Sequence, residues 1–119
     1  MILIVEDDAF IREMVEGMIQ NLGHRTLSAS DVDEGLSYLR SAQHIKALFT
    51  DINLKEAALG GCDLARQAIE LRPGLRVLYT TGNLVTDKIR NLFVAGAHLL
   101  LKPYTQNQLQ VSIDATLAA

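Results

Sequence analysis

The sequence predicts an α/β fold in which helices cover both faces of a parallel β-sheet. Short apolar runs alternate along the whole chain with segments whose apolar residues recur every three or four positions. These two patterns are typical of buried strands and of amphipathic helices. At 119 residues, of which 49% are apolar, the chain is long enough to bury one hydrophobic core. We therefore expect a single domain over residues 1–119, built from five strand–helix units.

The first two units are predicted from a continuously apolar run at residues 2–5 and from residues 25–29, which alternate polar and apolar side chains as an edge strand does. Asp8 is placed to cap the helix after the first strand. The apolar residues of this helix form one stripe that we expect to be buried: Ile11, Met14, Val15, Met18, Ile19 and Leu22. The helix after the second strand is shorter, and its apolar face consists of Val32, Leu36 and Leu39.

The central strand is predicted at residues 45–50. A glycine-containing loop and a helix follow, and the Pro-Gly pair at 73–74 ends that helix. Its apolar face consists of Leu64, Ala65, Ala68 and Ile69. The fourth strand is predicted at residues 75–80, and the next helix at about residues 85–95, closed by Gly96.

The last unit begins with a strand at residues 99–101. Its helix has a clear start signal, since Thr105 and Gln108 have the spacing of a capping box and Tyr104 and Leu109 that of a hydrophobic staple. Right-handed crossovers between such units produce a doubly wound, three-layered sandwich. We expect the flavodoxin-like strand order 2-1-3-4-5, which places the first and third strands side by side.

Three of the predicted strands end on charged residues. Glu6 and Asp7 follow the first strand, Asp51 ends the third, and Lys102 follows the fifth. In an open parallel sheet the carboxyl ends of the strands lie at one edge, where ligands bind. These side chains are therefore expected to meet, and together they suit a divalent cation, an acyl nucleophile and neutralisation of a phosphoryl group.

The residue types specify this chemistry further. A carboxylate such as Asp51 is ionised at neutral pH and can attack phosphorus without a general base. Mg²⁺ prefers one or two carboxylates, several waters and phosphate oxygens. Lys102 supplies a compact positive charge, and Thr81, before Gly82, can offer a hydroxyl to a phosphoryl oxygen. Positioning and charge neutralisation are most of what phosphoryl transfer requires.

Four stretches of the chain resemble the signature stretches of the response-regulator receiver domain. They read ILIVEDD at residues 2–8, LFTDINL at 48–54, VLYTTG at 77–82 and LKPY at 101–104. The match extends over the whole chain, in order and with suitable spacing. Since no DNA-binding or catalytic output segment is visible in the sequence, the chain resembles stand-alone receivers, which are not enzymes beyond their own phosphorylation and dephosphorylation.

This resemblance implies that Asp51 accepts a phosphoryl group from a phosphohistidine on a sensor histidine kinase or a histidine phosphotransfer protein. It also implies Mg²⁺, bound directly by Asp7, by Asp51 and by the backbone carbonyl of Asn53, and through water by Glu6. A downstream protein target would read the phosphorylated state, and a homodimer is a further candidate.

The same resemblance makes Thr81 and Lys102 the switch residues and implies a cis bond between Lys102 and Pro103. Asn83 is expected to influence hydrolysis of the phosphoryl group, as is Asn53. Leu99 stands where many receivers have an aromatic residue. The loop at residues 55–61 is about two residues longer than the usual pattern.

Other functions fit the sequence less well. A haloacid-dehalogenase-like phosphatase needs a second aspartate two residues after its nucleophile, where this chain has Asn53. A flavodoxin needs hydroxyls and glycines around its phosphate, whereas residues 6–8 are acidic. A phosphate sink and a degenerate scaffold receiver remain as alternatives within the receiver family.

Composition bounds the partners and the compartment. The net charge is −3, so no basic face for nucleic acid or an anionic membrane is expected. Cys62 is the single cysteine, which favours a reducing compartment. No apolar run approaches the roughly 20 residues of a membrane span, and no basic signal region precedes the first strand. We expect a cytoplasmic protein.

Overall fold

A computed structural model describes residues 1–55 and 57–118. Its strands are β1 (Ile2–Val5), β2 (Thr26–Ala29), β3 (Ala47–Asp51), β4 (Arg76–Thr81) and β5 (His98–Leu101). Its helices are α1 (Ala9–Asn21), α2 (Val32–Leu39), α3 (Gly60–Leu71), α4 (Asp87–Arg90) and α5 (Gln106–Leu117). The strands form one parallel sheet in the order β2-β1-β3-β4-β5. The predicted fold class and strand order are confirmed.

Each face of the sheet has its own hydrophobic core, because successive side chains of a strand point to opposite faces. Leu3 and Val5 belong to the core formed with α2 and α3, whereas Ile2 and Ile4 belong to the core formed with α1 and α5. The continuously apolar β1 is buried on both faces. The three-layered sandwich follows directly from this double burial.

The helix start signals in the sequence are present in the structure. The Asp8 side chain accepts a hydrogen bond from the backbone N–H of Ile11 at 3.0 Å and caps α1. Thr105 and Gln108 form a complete capping box at the start of α5, and Tyr104 and Leu109 lie in the same core cluster. These side chains satisfy backbone donors that a helix cannot satisfy internally.

The predicted burial of Met14 is wrong. Its side chain is 51% exposed, whereas Val15 and Ile19 are buried against the sheet. Successive helical residues are separated by about 100° around the axis, so Met14 is turned well away from the line through Val15 and Ile19. The buried stripe of α1 is narrower than the apolar pattern indicated.

The predicted helix at residues 85–95 is present only in part, because α4 is a single turn, Asp87–Arg90. The backbone N–H of Val94 donates to the hydroxyl of Tyr79 at 3.2 Å, and the ring of Phe93 stacks on the Tyr79 ring at 4.3 Å. Gly96 then turns the chain with a positive φ of 77°. After α4 the N–H groups of Leu92 and Phe93 donate to carbonyls three residues back. The N–H of Val94 donates to a side chain of β4 in place of a helical bond.

None of the helices in residues 1–55 and 57–118 has the length and apolar character that a membrane-crossing segment needs.

Candidate functional site

The charged strand ends meet at one edge of the sheet, as the sequence indicated. Carboxylate oxygens of Glu6, Asp7 and Asp51 all lie within 4.8 Å of one another. Glu6 and Asp7 directly follow β1, and Asp51 is the last residue of the adjacent β3. Hard oxygen donors converging on one point are the donor set that Mg²⁺ takes. The residues present thus fit a divalent cation.

Lys102 joins two of these carboxylates. Its Nζ donates to Glu6 Oε1 at 3.1 Å and lies 2.9 and 3.0 Å from the two carboxylate oxygens of Asp51. Burial lowers the pKa of Lys102, but hydrogen bonds to Asp51 and Glu6 and their negative charges outweigh burial, and the pKa is raised overall. The ammonium therefore stays charged at neutral pH.

Asp7 is placed differently from the other two carboxylates. Among the described residues it forms no salt bridge, and it lines a cavity of about 320 Å³ with residues 30–33, Leu54, Lys55 and Ala57. Burial and the neighbouring Glu6 carboxylate raise the pKa of Asp7 overall, although backbone hydrogen bonds around Asp7 and Lys55 lower it in part. On the side of Asp7 the negative charge of the site is not held in a salt bridge among the described residues.

Glu6 is held in position by the backbone around it. The N–H of Asp8 donates to Glu6 Oε2 at 3.2 Å, and the guanidinium of Arg12 donates to the Glu6 carbonyl at 2.8 Å. Glu6 is only 4% exposed. One of its carboxylate oxygens is paired with the Lys102 ammonium and the other accepts the hydrogen bond from the N–H of Asp8. Arg12 was not identified from the sequence.

The loop after β3 depends on Asn53 and Gly61. Asn53 Oδ1 accepts a hydrogen bond from the N–H of Leu59 at 3.0 Å, and Leu59 has a left-handed backbone. A Cβ atom on Gly61 would overlap the backbone oxygen of Asp51. Gly61 is therefore the residue that lets α3 begin directly against the end of β3.

The predicted switch residues lie at the ends of β4 and β5. Thr81 is buried, and its Oγ1 accepts a hydrogen bond from the N–H of the exposed Asn83 at 3.1 Å. The bond between Lys102 and Pro103 is cis, as the resemblance implied. Leu99 is paired in register with Tyr79 and packs against the core with α2 and α3.

Two residues near the carboxylates were not identified as site residues from the sequence. Burial raises the pKa of Tyr104, and the charges of Asp51 and Glu6 raise it further, so this phenol lies within their field. Thr80 is buried, and among the described residues its hydroxyl is the one buried side-chain polar atom without a hydrogen-bond partner. Strand alternation was the available signal, since it puts Thr80 on the same face as Asp51.

The chain belongs to the response regulator receiver domain family, whose sequence model matches residues 2–114. The response regulator receiver protein CpdR of Brucella abortus is 29% identical over 126 residues, covering 99% of this chain and 97% of that protein. A response regulator receiver protein from Sinorhizobium medicae WSM419 has the same fold, with a TM-score of 0.88, 25% identity and coverage of 98% of this chain and 92% of that chain.

Other relatives are much longer. The probable transcriptional regulator ycf27 of Porphyridium aerugineum is 26% identical over 117 residues, which is 98% of this chain and 47% of the regulator. The chain thus spans about half of such regulators, and it spans 11% of the sensor histidine kinase AruS of Pseudomonas aeruginosa. Receiver domains act in two-component signalling and are not enzymes in the usual sense, and the acidic cluster of this one fits a phosphoacceptor site.

Proposed function

We propose that this chain takes a phosphoryl group onto Asp51 from the phosphohistidine of a sensor histidine kinase or a histidine phosphotransfer protein. One observation carries the proposal. Asp51 ends the central strand of the sheet, 7% exposed, with Lys102 on both of its oxygens and two further carboxylates beside it. A buried carboxylate that is held in place beside a cation is suited to nucleophilic attack.

In the transfer, a carboxylate oxygen of Asp51 forms a bond to phosphorus as the bond from phosphorus to the donor's imidazole nitrogen breaks. The electron pair of the broken bond returns to that nitrogen. Negative charge is spread over the phosphoryl oxygens, and Lys102 is close enough to Asp51 to neutralise part of it. The Thr81 hydroxyl would then leave the N–H of Asn83 and donate to a phosphoryl oxygen.

Asp7 and Asp51, with the backbone carbonyl of Asn53, would hold Mg²⁺, and Glu6 would contact it through water. Among the described residues no hydrogen bond to the Asn53 carbonyl is present, which supports this assignment. When bound, the cation supplies positive charge to the phosphoryl oxygens. Asp7 would be the carboxylate ligand that is free of Lys102, which pairs with Glu6 and Asp51.

A downstream protein target would read the phosphorylated state, and a homodimer is a second candidate reader. The negative net charge favours a protein reader over nucleic acid. The buried lone thiol of Cys62 is compatible with a reducing compartment, and we place the signalling event in the cytoplasm.

The test is phosphorylation of the purified protein by acetyl phosphate with Mg²⁺, followed by intact mass measurement. We expect one added phosphoryl group on the wild type and none on Asp51→Asn. Asp63→Asn is the matched control, because Asp63 is an exposed aspartate paired with Arg66 on α3; it should be labelled as the wild type is. Wild-type labelling of Asp51→Asn would show that the acceptor lies elsewhere.

A further inference from the structure

The hydroxyl of Thr80 has an unusual environment. Thr80 is 2% exposed, and its Oγ1 has no hydrogen-bond partner among the described residues. Buried hydroxyls are nearly always paired, because their desolvation is otherwise uncompensated. Thr116 shows the usual case in this chain, since its buried hydroxyl donates to the carbonyl of Ser112 at 2.7 Å. The unpaired hydroxyl of Thr80 needs an explanation.

The sheet register places Thr80 beside Asp51. The two residues are Cα partners on β4 and β3, and neighbouring strands lie about 4.8 Å apart. Leu78 and Phe49, two positions earlier on the same strands, belong to the core with α1 and α5. Alternation therefore directs Thr80 and Asp51 to that same face, with their side chains adjacent.

The side chain of Lys102 crosses the end of β4 close to this pair of residues. Lys102 follows β5, and its ammonium reaches Asp51 on β3 and Glu6 beyond β1. The sheet order puts β4 between β5 and β3, and an added Cβ on Gly82 would lie 3.8 Å from Lys102 Cβ. Lys102 therefore crosses the carboxyl end of β4, two residues beyond Thr80. In this arrangement the Lys102 ammonium lies 2.9 and 3.0 Å from the two carboxylate oxygens of Asp51, and the Thr80 hydroxyl bonds to neither of them.

We propose that Thr80 is a positioning residue of the phosphotransfer site, whose hydroxyl acquires its hydrogen bond when Asp51 carries a phosphoryl group. This inference rests on the proposed function. Phosphorylation moves the negative charge outward onto the phosphoryl oxygens, and the Lys102 ammonium moves with it. An oxygen of the Asp51 side chain then becomes available to the O–H of Thr80. A group unpaired in one state and paired in the other shifts the equilibrium toward the second state.

The test compares Thr80→Val, which removes the hydroxyl and keeps the shape, with Thr80→Ser, which keeps the hydroxyl. Without Mg²⁺ or phosphoryl mimic, Thr80→Val should melt a few degrees higher than the wild type, because an unpaired buried hydroxyl is removed. With Mg²⁺, its affinity for beryllofluoride, measured by titration calorimetry, should fall about fivefold, the effect of one hydrogen bond to a neutral oxygen. Thr80→Ser should bind beryllofluoride within about twofold of the wild type.

A positioning role predicts that Thr80→Val raises the melting temperature and lowers the affinity for beryllofluoride, whereas a packing role predicts that it lowers both. A Thr80→Val protein that melts lower and also binds less tightly would assign Thr80 a packing role and overturn the inference. Unchanged affinity in Thr80→Val, with normal wild-type binding, would overturn it while leaving the proposed function intact. Thr116→Val is the control, expected to melt lower and bind normally. A wild type that binds no beryllofluoride would overturn the proposed function and this inference together.

Discussion

Lys102 is shared by Glu6 and Asp51, and Asp7 lies beside them without a salt bridge among the described residues. Three carboxylates and one ammonium leave a net negative charge at a partly buried edge, where charges repel more strongly than in water. The carboxylates stay close together despite this repulsion, because Glu6 and Asp7 directly follow β1 and Asp51 ends β3. A bound cation would relieve the repulsion, so metal affinity and metal-free stability are expected to oppose each other here.

Asp7→Ala should abolish Mg²⁺ binding and phosphorylation, and should raise the free energy of unfolding of the metal-free protein by roughly 0.5 kcal/mol. The reason for the gain is relief of repulsion with Glu6. Glu6→Gln is the comparison. This substitution reduces the repulsion with Asp7 but breaks the buried ion pair with Lys102. We therefore expect the free energy of unfolding of the metal-free protein to fall by about 1 kcal/mol.

Titration calorimetry with Mg²⁺ and thermal unfolding in EDTA measure the two effects separately. Unchanged Mg²⁺ affinity in Asp7→Ala would rule out Asp7 as a ligand. A lower melting temperature of the metal-free Asp7→Ala protein would contradict the repulsion argument.

The phosphoryl group should be lost by self-catalysed hydrolysis over minutes or longer. Asn53 and Asn83 follow signature residues by two positions, and an amide cannot act as a strong general base on the attacking water. Asn83 is exposed, so Asn83→Asp should shorten the lifetime several-fold without disturbing the fold. Asn21→Asp, at the far end of α1, is the control. Loss of the phosphoryl group within seconds from the purified wild type would contradict this expectation.

The packing of α3 against β3 makes Gly61 a test of how the nucleophile is positioned. Gly61→Ala should cost about 2 kcal/mol or more and reduce phosphorylation, because the added Cβ overlaps the backbone oxygen of Asp51. Gly17→Ala is the matched control. Gly17 is also helical but has no atom within 4 Å of an added Cβ, so alanine there should stabilise by roughly 0.5–1 kcal/mol.

Urea unfolding of the two glycine variants, with intact mass after acetyl phosphate, distinguishes local from global effects. Gly17→Ala should be labelled normally. A Gly61→Ala protein with wild-type stability and labelling would show that the end of β3 yields readily.

The segment after α4 is held by Tyr79 on the neighbouring strand. Tyr79→Phe should cost about 1 kcal/mol at neutral pH, because the N–H of Val94 loses its acceptor. Amide exchange should become faster at Val94 and in residues 91–97. The exchange rates of α3, measured in the same experiment, should not change and serve as the internal control.

Tyr79 also predicts how stability depends on alkaline pH. Burial raises the pKa of Tyr79 from 10.0 to about 12, so the folded state keeps its phenol proton at pH values where the unfolded chain loses it. Stability from this group is complete below pH 10.0 and is lost as the pH rises toward about 12. Tyr79→Phe should show a shallower loss across that range in urea unfolding. An equal slope in both proteins would contradict the assignment.

The comparison of Tyr79 with Asp51 shows what sequence reasoning could and could not predict. The position of Asp51 beside the other charged residues was predictable, because the strand order brings the charged strand ends to one edge of the sheet whatever the details of packing. The single turn of α4 was not predictable, since residues 85–95 have helical periodicity, whereas a tertiary contact between Val94 and Tyr79 holds the residues after α4 outside a helix. The unpaired state of Thr80 likewise depends on which neighbours fail to reach it.

Across the molecule, the site is connected to both faces of the sheet. Tyr79 and Leu99 pack on the face covered by α2 and α3. Asp51 and Lys102 belong by alternation to the other face, because each follows by two positions a residue of the core with α1 and α5. Thr81, two residues after Tyr79, belongs to the face of α2 and α3 by alternation. A phosphoryl group that draws both Thr81 and Lys102 toward Asp51 would therefore act on β4 and β5 from both sides.

The protein surface formed by residues 85–95, β5 and α5 should respond to phosphorylation. Leu99 is smaller than the aromatic residue found in many receivers, so its rotation moves less volume, and we expect a small shift carried mainly by the backbone. Phosphorylation can shift the equilibrium between two conformations of this surface only if it stabilises one of them more than the other. Amide NMR spectra with and without Mg²⁺ and beryllofluoride measure this, with Leu92, Leu99 and Leu109 as reporters.

All three reporters should shift in the wild type and none in Asp51→Asn, which controls for Mg²⁺ and fluoride. Leu39, at the end of α2 and away from β4 and β5, should keep its position in both proteins. Reporter shifts of the wild type that stop at the residues around Asp51 would mean that the phosphoryl group does not reach the surface. The chain would then act as a phosphate sink, because its phosphorylation would drain a donor without presenting a new surface to a reader.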